Sequence, residues 1–131
     1  MALLIADVYE AAGALRRSGE ATAAAEGQTQ ARWQVLSIFS GQPTSVLSAA
    51  RRLGVARQNV QRIANDLTED GPGRLHTHPD HRTSPLLPLT LDGQQVLQAI
   101  TARAHASHRR ITARIPEADV AAARTLLHNL T

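Results

Sequence analysis

Five side chains within six residues carry the chemistry most worth reading in this sequence: Arg57, Gln58, Asn59, Gln61 and Arg62. At 100° per residue, Arg57, Gln58, Gln61 and Arg62 share one side of a helix, while Val60, Ile63, Ala64 and Leu67 share the other. Asn59 lies toward the flank. A helix face that offers only guanidinium and amide forks, with no carboxylate among them, is suited to guanine and adenine edges in the major groove of a duplex. The same residues would also suit a solvated face in an ordinary helical hairpin, because Arg and Gln are good surface helix formers. The surroundings decide between the two.

The stretch Thr44–Asp70 is organised as two short helices around Leu53-Gly54-Val55. Ala50 is small enough for close helix approach, Gly54 can take the left-handed conformation of a tight turn, and Val60 fills the angle between the helices. This is the spacing of a helix-turn-helix. Past it, Gly71–Thr90 holds two glycines, four prolines and three histidines. Its two short runs, Arg74–His78 and Ser84–Leu89, flank a Pro-Asp turn and are expected to pair as a β-hairpin. A hairpin directly after a recognition helix is a wing. Arg82, just past the tip, would reach the adjacent minor groove, and Asp80 would hold it there by a charge-assisted hydrogen bond.

Charge placement supports this reading. All fourteen basic residues are arginine, and the formal net charge is +3. From Arg32 to Arg82 there are seven Arg and four acidic residues, a balance of +3, whereas the flanks hold seven of each and cancel. The whole excess sits on the segment that carries the helix pair, as in a nucleic-acid reader with neutral ends.

Aromatic residues make up only 2% of the 131-residue chain, so a core of Leu, Ile, Val and Ala is expected, in packed helices forming one domain. Residues 3 to about 25 form a long helix with a Leu4, Val8, Ala11, Leu15 seam, interrupted only by Gly13, and Gly27 and Gln28 end it. Ala31–Ser40 is a second helix, with Trp33, Leu36 and Phe39 as the expected centre of the core. Thr44 or Ser45 caps the next helix. A further helix runs from Leu91 to about Ile111, with Val96, Leu97, Ile100 and Ala104 on one face and Thr90 or Asp92 at its start. Pro116 is expected in the first turn of a closing helix, Glu117–Leu130, which repeats Val120, Ala123, Leu127 and Leu130. Apolar seams at both ends suggest a dimeriser, with residues 31–90 as the DNA-binding unit and residues 1–30 and 91–131 as dimerisation helices. The start MALLIAD lacks the basic flank of a signal peptide, no apolar run approaches a membrane span, and there is no cysteine. The expected location is cytoplasmic.

Taken together, these segments resemble the MarR family of winged helix-turn-helix transcription regulators. The resemblance runs through RWQVLS (Arg32–Ser37), LGVARQNVQRIANDLTEDG (Leu53–Gly71), PDHRTS (Pro79–Ser84) and LTLDGQQVL (Leu89–Leu97). Its most specific piece is Asp80-His81-Arg82, which matches the family's Asp-x-Arg at the wing tip. The resemblance implies a mainly α-helical homodimer held by the terminal helices. It also implies binding to a pseudo-palindromic double-stranded DNA operator, usually as a repressor, with release by a small, often aromatic, effector. Pro72-Gly73 stands where the family usually opens the first wing strand with an apolar pair, and Leu75 and His76 where it often has a basic residue. Pro85 and Pro88 differ in parity, so at least one removes a ladder hydrogen bond, and a short or irregular wing is expected.

Other chemistry has less support. His76, His78, Asp80 and His81 are zinc-ligand types, yet a loop tip offers little to fix them, and His105 with His108 fits a wet helix face. No metal or cofactor is expected. Trp33, Tyr9 and the start of the Leu91 helix are candidates for an effector pocket, although few aromatics are available to line one and core packing suits each of them better. No phosphate loop, cysteine nucleophile or spaced carboxylate pair suggests an enzyme. The competing functions are a winged-helix module that binds protein and a DNA-binding protein that answers to no effector.

Overall fold

The structure, a computed structural model, describes residues 1–42, 44–69, 74 and 88–131. Six helices occur in the described residues: α1 (Ala2–Ala24), α2 (Gln30–Phe39), α3 (Val46–Leu53), α4 (Arg57–Glu69), α5 (Leu91–Thr112) and α6 (Glu117–Asn129). Their bounds lie within a residue or so of the periodic segments, and side-chain N-caps at Thr29, Ser45 and Thr90 mark the starts of α2, α3 and α5. The expected hairpin, with Asp80, Arg82 and the histidines 76, 78 and 81, lies outside the described residues, as does the irregularity expected from Pro85. The chain divides into two compact units, Met1–Ile100 and Thr101–Thr131.

In the first unit α2 is central and packs against α1, α3 and α4. Its first turn needs partners for its free N–H groups. Thr29 Oγ1 accepts from Arg32 N at 3.1 Å, and the Glu20 carboxylate of α1 accepts from Gln30 N at 3.2 Å. Gly27 (φ +68°) turns the chain between the two helices, and the absence of a side chain at the buried Gly19 leaves room for the Gln30 side chain. Leu36 and Phe39 are buried, as expected, but Trp33 is only half-buried; Val35 and Ile38 complete the inward face instead. These four residues form a continuous core with Val46, Ala49, Ala50, Val60, Ala64, Leu67 and Leu89. Fully burying each large aliphatic side chain is worth about 1.5–3 kcal/mol.

The α1 seam behaves differently. Leu4 and Val8 are half-buried and Leu15 is exposed, whereas the buried residues of α1 are the small Gly19 and Ala23 near its C-terminus. The seam therefore does not close the core of a single chain.

The α5 start is fixed by Thr90, whose Oγ1 accepts from Gly93 N at 3.0 Å, which is an N-cap bond. Arg74 meets it there. Its carbonyl accepts from Thr90 N at 3.0 Å, its N–H donates to Leu67 O at 2.7 Å, and its guanidinium lies 3.4 Å from the Asp92 carboxylate. Gly93 is buried, and a Cβ there would collide with the Arg74 carbonyl. Arg74 is thus tied both to α4 and to the start of α5.

In the second unit α6 begins at Pro116, which occupies the N-cap position (φ −56°, ψ 141°) one residue before the first turn where it was expected. Glu117 and Asp119 stand in that first turn, where they complement the helix dipole. No residue of α6 is buried within one chain.

Candidate DNA-binding surface

The geometry of the surface begins at the turn between α3 and α4. Ser45 caps α3, its hydroxyl accepting from Ser48 N at 3.2 Å. At the other end Gly54 is left-handed (φ 66°, ψ 33°). Its N–H donates to Arg51 O at 3.3 Å, and Val55 N donates to Ala50 O at 3.1 Å. That pair of bonds is a Schellman motif, so glycine is required at position 54 for its backbone and not for space. The chain leaves the turn in the direction of α4. Ala50, Val60, Ala64 and Leu67 are buried between the helices and set the rotation of α4 about its axis.

That rotation turns Arg57, Gln58 and Arg62 out to solvent and leaves Gln61 half-buried. These four line one open concave surface together with Asn65, Asp66 and Glu69. Asn59 is exposed but belongs to a different side. With Arg62 it borders a groove against α2 that is lined by Gln34, Val55 and Ile63. The carboxylate-free face read from the sequence therefore holds for the first two turns of α4 and gives way to Asp66 and Glu69 in the last. Their spacing of four and seven residues from Arg62 already places them there. Asn65 also escaped the sequence reading. It stands four residues after Gln61, and its Oδ1 accepts from Gln61 Nε2 at 2.9 Å. Arg51 and Arg52, both exposed, close α3 just before the turn and add positive charge beside the α4 N-terminus.

Among the described residues no group of three or more His, Cys, Asp or Glu could hold a metal ion, and His105 and His108 are both exposed. Tyr9 is 76% exposed, and neither it nor Trp33 lines any of the described cavities. The cavity at the start of α5 is walled instead by Phe39, Ser40, Gly41, Pro88, Leu89, Gln94, Leu97 and Gln98. No helix is long and apolar enough to cross a membrane among the described residues.

No family model matches the chain. It is 55% identical over 130 residues to an uncharacterized protein of Mycobacterium tuberculosis, covering 99% of this chain and 91% of the relative. It is 32% identical over 98 residues to the transcriptional activatory protein BadR of Rhodopseudomonas palustris, covering 71% of this chain and 55% of BadR. Among solved structures, a MarR-family transcriptional regulator from Rhodococcus sp. RHA1 superposes with a TM-score of 0.82 at 20% identity, covering 99% of this chain and 94% of that one. A MarR/EmrR-family regulator from Acinetobacter sp. ADP1 gives 0.83 at 20% identity, with 97% and 91% covered. CouR from Rhodococcus jostii RHA1, bound to p-coumaroyl-CoA, gives 0.82 at 18% identity, with 94% and 87% covered. The chain thus belongs to one family with its mycobacterial relative, and its fold is that of the MarR-family transcriptional regulators.

Proposed function

We propose that the protein is a transcription regulator that binds double-stranded DNA as a homodimer. Each subunit lays α4 in the major groove of one half of a pseudo-palindromic operator, with half-sites about 10 bp apart. The observation that carries this reading is the arrangement of α4. One face is locked into the core by Val60, Ala64 and Leu67, and the other carries the exposed Arg57, Gln58 and Arg62 and the half-buried Gln61 without a carboxylate in its first two turns. Arg57, Gln58, Gln61 and Arg62 are the base-edge candidates, Asn59 is a further DNA-contact candidate at the flank of that face, and Arg82, supported by Asp80, reaches the minor groove from the wing. Residues 31–90 serve as the DNA-binding unit, and the helices of residues 1–30 and 91–131 join the subunits.

The protein acts as a repressor that a small molecule releases. Support for an effector comes from CouR, which has the same fold and is bound to p-coumaroyl-CoA, and from a Mycobacterium tuberculosis MarR-family protein in complex with p-aminosalicylic acid. BadR, an activatory protein by name, makes the sign of regulation a point for direct test in a reporter carrying the selected operator.

Selection of bound sites from randomised duplexes, repeated across salt concentrations, tests the class. A palindromic consensus, with affinity falling by several log units per log unit of salt, is expected where phosphates are neutralised. A flat salt response without a consensus would point to a winged-helix module that binds protein. Operator affinity unchanged by every aromatic acid or acyl-CoA tried would remove effector release from the reading.

A further inference from the structure

We propose that Asn65 determines which base Gln61 reads, by occupying one of the two amide hydrogens of Gln61 and leaving a pattern that fits adenine and not guanine. This rests on α4 being the helix that enters the major groove. Gln61 and Asn65 are one turn apart on the concave face of α4, and Gln61 Nε2 donates to Asn65 Oδ1 at 2.9 Å. A glutamine amide carries two N–H donors and one carbonyl acceptor. Unrestrained, it can meet adenine with one N–H on N7 and its oxygen on the N6 amine. It can also turn both N–H groups toward the N7 and O6 acceptors of guanine.

Once Asn65 holds one hydrogen, a single N–H and the oxygen remain. That pair is complete for adenine. It is one donor short for guanine, whose second acceptor would go unpaired in the interface. The same bond holds the Gln61 side chain in place before DNA arrives, which lowers the ordering cost of binding. Asn65 is thus a positioning residue, acting through Gln61.

The test uses the full chain and a duplex carrying its selected site, with every base pair substituted in turn. Binding is measured for wild type, Gln61→Ala, Asn65→Ala, Asn65→Asp and the Gln61→Ala/Asn65→Ala double variant. Gln61→Ala should flatten preference at one base pair, where wild type prefers adenine. Asn65→Ala should lower the adenine-to-guanine ratio at that same base pair about two- to tenfold, leave preference at the other positions unchanged, and add nothing to Gln61→Ala there. Asn65→Asp keeps the acceptor, so it should restore the ratio while its charge weakens binding evenly.

A merely structural role would move all positions together and would not be rescued by aspartate. An unchanged ratio in Asn65→Ala, an effect at a different base pair, or a wild-type preference other than adenine under Gln61 would each overturn the inference while leaving DNA recognition intact. Failure of wild type to select any site would instead remove the reading on which the inference rests.

Discussion

At the scale of single residues, two kinds of arginine contact have different signatures. Arg57 and Gln58 are exposed on the first turn of α4, and in the proposed reading they meet base edges, whose donor and acceptor pattern changes with sequence. Arginine in a narrow minor groove answers mainly to electrostatic potential and groove width. Replacing Arg57 or Gln58 with alanine should therefore cost about 1–3 kcal/mol on the preferred site and relax sequence preference. Replacing Arg82 should weaken binding more uniformly across sequences. Quantitative binding to a panel of substituted operators separates the two outcomes. Affinity unchanged in Arg57→Ala, Arg62→Ala and Arg82→Ala alike would refute the assigned surface. The types and spacing of Arg57, Gln58, Gln61 and Arg62 were enough to find this face. The Gln61–Asn65 bond was not, because many helical i, i+4 amide pairs point to solvent and only side-chain torsions show which ones close.

At the scale of elements, the turn between α3 and α4 is the joint that aims the surface. Gly54 is left-handed, and its position has open space around the missing Cβ. Gly54→Ala would meet no clash, so its cost is the backbone cost of a left-handed L-residue, about 1–2 kcal/mol. The expected outcome is a melting temperature lowered by several degrees, with the fold retained. DNA affinity should fall further than stability if the variant relieves the strain by re-angling α4. A variant as stable as wild type would show that the turn geometry is not what holds the two helices. Legibility was high for this element because three local signals coincide at one place: the small Ala50, the conformational demand at Gly54 and the buried Val60. It was lower for α2, where Trp33 was expected inside and Val35 and Ile38 took the inward positions. Residue type alone does not say which side of an apolar helix turns to the core when α1, α3 and α4 all pack against it.

At the scale of the whole molecule, a single chain leaves its terminal helices unsatisfied. Leu3, Tyr9 and Leu15 of α1 and Leu126 and Leu127 of α6 are all exposed, and α6 buries nothing. A 13-residue helix has little stability of its own in water, and amphipathic helices gain most of theirs from packing. A second subunit supplies that packing in the proposed homodimer. Leu127→Glu places a charge on the exposed apolar side of α6. Sedimentation equilibrium should show the dimer shifting to monomer, and operator affinity should drop because one subunit reaches only one half-site. A fully dimeric Leu127→Glu variant would place the interface elsewhere.

Helix limits and the turn glycine follow from local rules: period, capping and left-handed propensity. Each depends on residues a few positions apart, so the order of amino acids determines it. Which hydrophobic residues become core, why the α1 seam stays half-open and how Arg74 ties into the start of α5 depend on packing between segments far apart in the chain. Burial is a property of neighbours in space, and only the tertiary structure decided it.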